Sequence, residues 1–247
     1  MSNVTISLIM LALVFGGSLV GIFLRAVLPQ PHLSKASKDT VRVGIGLVLT
    51  IAALVLSLVI ASARTYYDSQ SGEVTEMCAK VLLLDRILAH YGPETKEARD
   101  ALRAYVAGFL DQMSLGNSAL AKPSFGGEVI YKRIQELSPR NDTQRWIQAQ
   151  TLSIVLALLQ TRWLMYEQSA AGVSRPLLVA MVFWLTIAFL SFGLFAPKNL
   201  TVVTGLFLSA LAVSAAVFLI LEMYSPFTGL IRISSGPLRA ALAHLGH

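Results

Sequence analysis

Four stretches of this chain carry no charged residue and are each long enough to cross a lipid bilayer: residues 1–24, 43–63, 177–196 and 200–221. A helix rises about 1.5 Å per residue, so some twenty residues cover a hydrocarbon core of about 30 Å. Lipid offers the backbone no hydrogen-bond partner, so each stretch must satisfy its own amides as a helix. Composition agrees: 55% of residues are apolar and 14% charged, against about a quarter charged in ordinary soluble chains. The expectation is an all-α polytopic membrane protein with four transmembrane helices. The first stretch reads as a span and not as a cleaved signal peptide, because it lacks a positive leading region and an A-x-A site.

Between the second and third spans the character inverts. Residues 64–175 hold thirteen of the twenty lysines and arginines and twelve of the fourteen acids, which predicts a nearly neutral aqueous domain of four helices. The first runs over 73–91, with Val81, Leu84, Leu88 and Tyr91 at helical spacing and Gly92 closing it. Pro93 opens the second, whose apolar face is Ala98, Leu102, Tyr105, Phe109 and Met113. A third starts at Ser124 or Glu128 and ends at Leu137, before Ser138-Pro139. Asn141 or Asp142 caps the fourth, over 143–171, which Gly172 terminates. No alternation of β-branched residues between turns competes with these helices. Four regions follow: spans one and two with a basic loop (1–63), the helical aqueous domain (64–175), spans three and four (176–223), and a Pro-Phe turn with a tail (224–247). Pro29, Pro31 and the polar run 34–38 mark residues 28–39 as the loop between the first two spans.

Several function classes lack their residues. The net charge of +6 is scattered beside apolar segments, where basic residues act as interfacial anchors, so nucleic acid is not an expected partner. Cys78 is the single cysteine, and His32, His90, His244 and His247 are not at ligand spacing. With no HExxH, GxSxG or phosphate-binding loop, neither catalysis, a cofactor nor a metal is expected. Glu76 and Lys80 form an ordinary i, i+4 pair. Asp85-Arg86 interrupts an apolar helix and marks candidates for pairing with a neighbouring helix or subunit.

Within the spans, small and weakly polar residues carry the information. Gly17 and Gly21 allow a helix to approach closely, whether inside one subunit or between subunits. Gly46, Thr50 and Ser57 share a stripe of the second span that either lines a water-filled path or simply packs. Gly205, Ser209, Ala212 and Ala216 make a similar face on the fourth span, which the short link 196–199 joins to the third as an antiparallel hairpin. Glu222 ends the fourth span, either with a protein partner or just outside the hydrocarbon. Four spans place residues 1, 64–175 and 224–247 on one side. Arg25, Lys35, Lys38 and Arg42 put the first loop in the cytoplasm, whereas Arg64, Arg175, Arg232 and Arg239 argue the reverse.

Two N-terminal spans, a helical domain, a two-span hairpin and then Glu222-x-x-x-Pro226-Phe227-x-Gly229 together resemble the bestrophin-like domain family of bacterial membrane proteins. The segments 85–94 (DRILAHYGPE) and 196–200 (APKNL) are similar to it as well. The resemblance implies distant similarity to bestrophins, pentameric ion channels in which a Pro-Phe-Gly turn follows the last span and the second span lines a neck. It therefore implies a homo-oligomer in the bacterial inner membrane that passes inorganic ions, with Gly46, Thr50 and Ser57 facing the pore and the helical domain in the cytoplasm. Thr228 separates Phe227 from Gly229 here, and Leu230-Ile231-Arg232 stands where calcium-activated bestrophins carry acids. The alternative is a non-conducting membrane protein whose helical domain binds a soluble partner.

Overall fold

A computed structural model describes residues 2–27, 35–114, 126–170, 175–197 and 199–245. Among these the chain is all-helical: α1 (Asn3–Val27), α2 (Lys35–Tyr91), α3 (Lys96–Ser114), α4 (Gly126–Gln135), α5 (Asp142–Ala170), α6 (Arg175–Phe195), α7 (Leu200–Met223) and α8 (Gly236–His244), with a 3-10 turn at Pro93–Thr95. α1, α2, α6 and α7 are each long and apolar enough to cross a membrane.

One expectation is corrected at once. The second span and the first helix of the charged region are a single helix of 57 residues. Residues 64–72 contain no proline, and the lone Gly72 costs only about 1 kcal/mol relative to alanine, too little to end a helix that is supported on both sides. The loop assigned to 28–39 is also shorter, because α2 already begins at Lys35. Pro29, Pro31 and Ser34 lie outside the described residues, as do Ser124, Gly172 and Lys198.

The chain divides into two compact units, neither contiguous in sequence: Met1–Thr65 with Val173–Tyr224, and Tyr66–Gly172 with Ser225–His247. In the first, α1 packs against both α6 and α7. Met10 and Val14 of α1 meet Met181, Leu185 and Phe189 of α6 and Ala210, Val217 and Leu221 of α7. The glycines of α1 decide how closely α6 comes. A Cβ at Gly21 would overlap the backbone of Leu190, one at Gly17 would press on Thr186 at 3.1 Å, and one at Gly193 would overlap the carbonyl of Ser18. The Gly17/Gly21 pair is thus a seam inside one subunit. On the α7 side the Ser214 hydroxyl donates to the carbonyl of Ser7 at 2.6 Å, a buried interhelical bond of the kind that steadies apolar bundles.

The face predicted for close contact on α7 points elsewhere. Gly205, Ser209 and Ala212 are exposed, and Ala210, Ser214 and Val217 make the contact with α1. Apolar bulk alone does not choose between these faces in a helix that is apolar all round.

The second unit is built as periodicity dictates. Val81, Leu84 and Leu88 of α2 and Leu102, Val106 and Phe109 of α3 share a core with Ile130 and Ile134 of α4 and Val155 and Leu158 of α5. Each such fully buried side chain contributes about 1.5–3 kcal/mol when it leaves water. Local polar bonds fix the ends: Asn141 Oδ1 accepts from the amide of Gln144 at 2.7 Å, and Gln148 Nε2 donates to the carbonyls of Ile134 and Leu137, each at 2.9 Å. Gly92, at φ 137°, makes the corner after α2 that a side chain would resist. The segment read as a tail is a folded part of this unit, since Leu238, Leu245 and Phe227 belong to the same core.

Candidate functional site

The spanning half of α2 is the least covered of the four long apolar helices. Its most apolar 18-residue window is 17% buried, against 28% for α1 and α6, so most of its surface remains for lipid or another copy of the chain. Gly46, Thr50 and Ser57 are all exposed. At about 100° per residue they fall within an arc of about 40°, while the buried Ala52, Val59 and Ala63 lie on the far side. Val43, Leu47, Leu54 and Leu58 form an exposed apolar stripe beside them. The hydroxyls of Thr50 and Ser57 donate to the carbonyls of Gly46 and Ala53, both at 2.9 Å. This satisfies their protons inside the helix and leaves oxygen lone pairs facing outward. Gly46 in addition borders a cleft of about 360 Å³ between α2 and α6.

Glu222 lies inside the protein, 3% exposed. Asn3 Nδ2 donates to its Oε1 at 3.0 Å and to the carbonyl of Leu221 at 3.3 Å. Four residues on, the Pro226 segment enters the second unit, where Phe227 is 3% exposed in the core. The turn is closed by its own backbone: Thr228 donates to Ser225 at 3.0 Å and Ile233 to Pro226 at 2.8 Å. Gly229 sits at φ 84°, a left-handed geometry that favours glycine, and its carbonyl accepts from Arg232 Nε at 2.7 Å. Arg232 therefore helps to hold the turn where a calcium site would need an acid. Among the described residues no group of three or more His, Cys, Asp or Glu could hold a metal ion.

The order of elements, the turn at Pro226-Phe227 and the buried acid before it extend over almost the whole chain, and the family model for the Bestrophin-like domain matches residues 11–238. The chain belongs to that family. No curated protein and no solved structure matches it significantly. The bestrophin-like match reaches from α1 to Leu238 in α8 and so takes in the α2 face, Glu222 and the Pro-Phe turn.

In the second unit of this bestrophin-like protein, Asp85 is buried and accepts from Arg99 Nε at 2.7 Å and Nη2 at 3.1 Å. This bidentate pair joins α2 to α3, while Arg86 is exposed and takes no part in it. Arg162 of α5 is buried as well, with Nη2 donating to Gln112 at 2.6 Å and its guanidinium 4.6 Å from the Phe109 ring centre. Burial pulls its pKa down.

Periodicity gave no sign of a polar cluster where α2 meets α5. Gln70 Nε2 donates to Gln168 Oε1 at 2.7 Å, and Gln168 Nε2 to Glu73 Oε1 at 3.1 Å. Burial raises the pKa of Glu73, the bond from Gln168 opposes the rise, and Glu76 adds to it. Cys78, close by on α2, is buried and its thiol pKa is likewise pushed up by burial.

Proposed function

We propose that this bestrophin-like protein is an oligomeric ion channel, pentameric by its resemblance, in which the α2 helices surround the axis and Gly46, Thr50 and Ser57 face the ions. The observation that carries this reading is the exposure of a weakly polar stripe on the least covered spanning helix. Small residues leave room along an axis, and hydroxyl oxygens replace part of an ion's hydration.

Planar-bilayer recording of the reconstituted protein tests this. Conductance that Ser57→Leu reduces severely, and that a thiol reagent blocks in Thr50→Cys, is the expected result. The buried Cys78 gives little background to that reagent. No current under varied ions, pH and voltage, with no axial path in the purified assembly, overturns it. The second unit is placed in the cytoplasm of a bacterial inner-membrane protein. Labelling of Asp100→Cys, an exposed position, by an impermeant reagent outside intact cells reverses that placement.

A second reading has its own observation. α5 exposes Trp146 at 67%, Leu156 at 53% and Trp163 at 42%, an unusual amount of aromatic surface for a water-facing helix. A non-conducting membrane protein that binds a soluble partner through α5 accounts for it. Crosslinking in native membranes that recovers no stoichiometric partner at α5 removes this alternative.

A further inference from the structure

The cleft between α2 and α6 is lined by Arg42, Ile45, Gly46 and Leu49 on one wall and Ser191, Phe192, Phe195 and Ala196 on the other, and holds about 360 Å³. Arg42 stands immediately before the uncharged run 43–63, and Ala196 ends the run 177–196. The mouth of the cleft is thus at the boundary between hydrocarbon and headgroups. Arg42 is exposed and makes no hydrogen bond or ion pair with the described residues, and no carboxylate lines the cleft. Arg25, the other arginine near this boundary, is already engaged with the carbonyl of Ala196.

A second feature of the cleft points to a ligand. Ser191 is only 9% exposed, and its hydroxyl has no hydrogen-bond partner among the described residues, unlike those of Thr50 and Ser57. It lies five residues inward from Ala196, about 7 Å deeper. Its oxygen is not one of the fully buried atoms left without a partner, so a ligand in the cleft can reach it. Here it is turned into a cleft whose other walls are aliphatic and aromatic, and Gly46 keeps the space open, with nothing within 4 Å of where its Cβ would be.

We propose that this cleft binds one anionic phospholipid, with the phosphate on Arg42, an ester carbonyl accepting from Ser191, Phe192 and Phe195 packed beside the glycerol, and the acyl chain running inward past Leu49. Arg42 at the boundary, Ser191 about 7 Å deeper and Leu49 about 10 Å deeper follow the order in which a lipid presents phosphate, ester and tail. An uncompensated guanidinium selects a headgroup with net negative charge over one that carries its own cation. The cleft occupies the α6-facing side of α2, shares only Gly46 with the stripe proposed above, and is tested by lipid affinity and not by conductance.

The test uses the full chain, purified and stripped of lipid, with thermal unfolding followed as phosphatidylglycerol, phosphatidylcholine or inorganic phosphate is added. Phosphatidylglycerol should raise Tm at lower concentration than phosphatidylcholine, and inorganic phosphate should leave it unchanged. In Arg42→Gln the phosphatidylglycerol affinity should fall about fivefold, the loss of one arginine beside an anionic surface. Gly46→Leu should weaken both lipids by filling the cleft, whereas Arg86→Gln should change neither. Equal response to the two lipids in the unaltered protein overturns the proposal, as does a shift reproduced by phosphate alone, which would make the cleft a simple anion site. Unchanged affinity in both Arg42→Gln and Gly46→Leu overturns it too. Should either variant fail to fold, the comparison of the three additives on the unaltered chain still decides.

Discussion

The carboxamide of Asn3 donates to Oε1 of Glu222 at 3.0 Å, so the first turn of α1 is bound to the last turn of α7 across 219 positions of sequence. A carboxylate is tolerated at the end of an apolar helix only where donors reach it, and here one does. Replacing Asn3 by Leu withdraws that donor from a buried acid and should cost about 1–3 kcal/mol. Glu222→Gln keeps an acceptor at the same place and should cost less. Thermal unfolding of both variants in one detergent gives the order, and equal losses would show that the contact depends on the charge of Glu222 and not merely on an acceptor there.

Glycines that look alike in sequence should behave oppositely. Gly21→Leu drives a side chain into the backbone of Leu190 and should destabilise the protein by at least the roughly 1–3 kcal/mol typical of overpacking. Gly205 has nothing within 4 Å, so Gly205→Leu should leave stability within about 0.5 kcal/mol. A large loss at Gly205 would instead reveal that another copy of the chain covers that face.

The Asp85–Arg99 pair should be structural. Asp85→Ala leaves Arg99 without its bidentate acceptor. Because the Arg99 side chain is 22% exposed, the cost should fall at or below the low end of the roughly 3–5 kcal/mol seen for broken buried pairs. Arg86→Ala, on the same helix but exposed, should be nearly silent. Circular dichroism melts of the two variants are sufficient, and similar losses would contradict the assignment.

Glu73 should give the protein an acid-favoured component of stability. Burial raises its folded pKa above the ordinary value of 4.5, so the folded chain holds the proton to higher pH than the unfolded chain does. The contribution is complete below the ordinary value and is lost as pH rises through the raised one. Glu73→Gln removes the titration, so its melting temperature should decline less than that of the unaltered protein between about pH 4 and 7. Parallel pH profiles for the two would refute the shift.

Much of the architecture was legible because it repeats. The four uncharged runs marked the long apolar helices, and the five apolar residues of α3, Ala98 to Met113, are all buried as their spacing required. The join within α2 was not legible, because a change from apolar to charged composition looks like a boundary although it contains no helix breaker. The neighbours of Gly21, the partner of Glu222 and the cleft wall opposite Ser191 were out of reach for another reason. Each is defined by a residue on a distant helix, and nothing local in the sequence of α1, α6 or α7 encodes which helices meet. The weakly polar stripe of α2 could be read, but whether it was covered could not, since that depends on where α1, α6 and α7 place their bulk.

The interleaving of the two units sets a schedule for biosynthesis. α1 leaves the ribosome early, yet the helices that fill its glycine seam and the acid that binds Asn3 arrive only after residue 175. The second unit waits still longer, for Phe227 and Leu238. Until then the nascent chain must carry an unpaired glycine groove in the bilayer and a hydrophobic core that is still open. Contacts of such long sequence separation form slowly and leave surfaces open to misassembly. A chain whose synthesis stops before residue 225 should therefore be inserted but still sensitive to protease in the second unit, and addition of the remaining residues should close that unit.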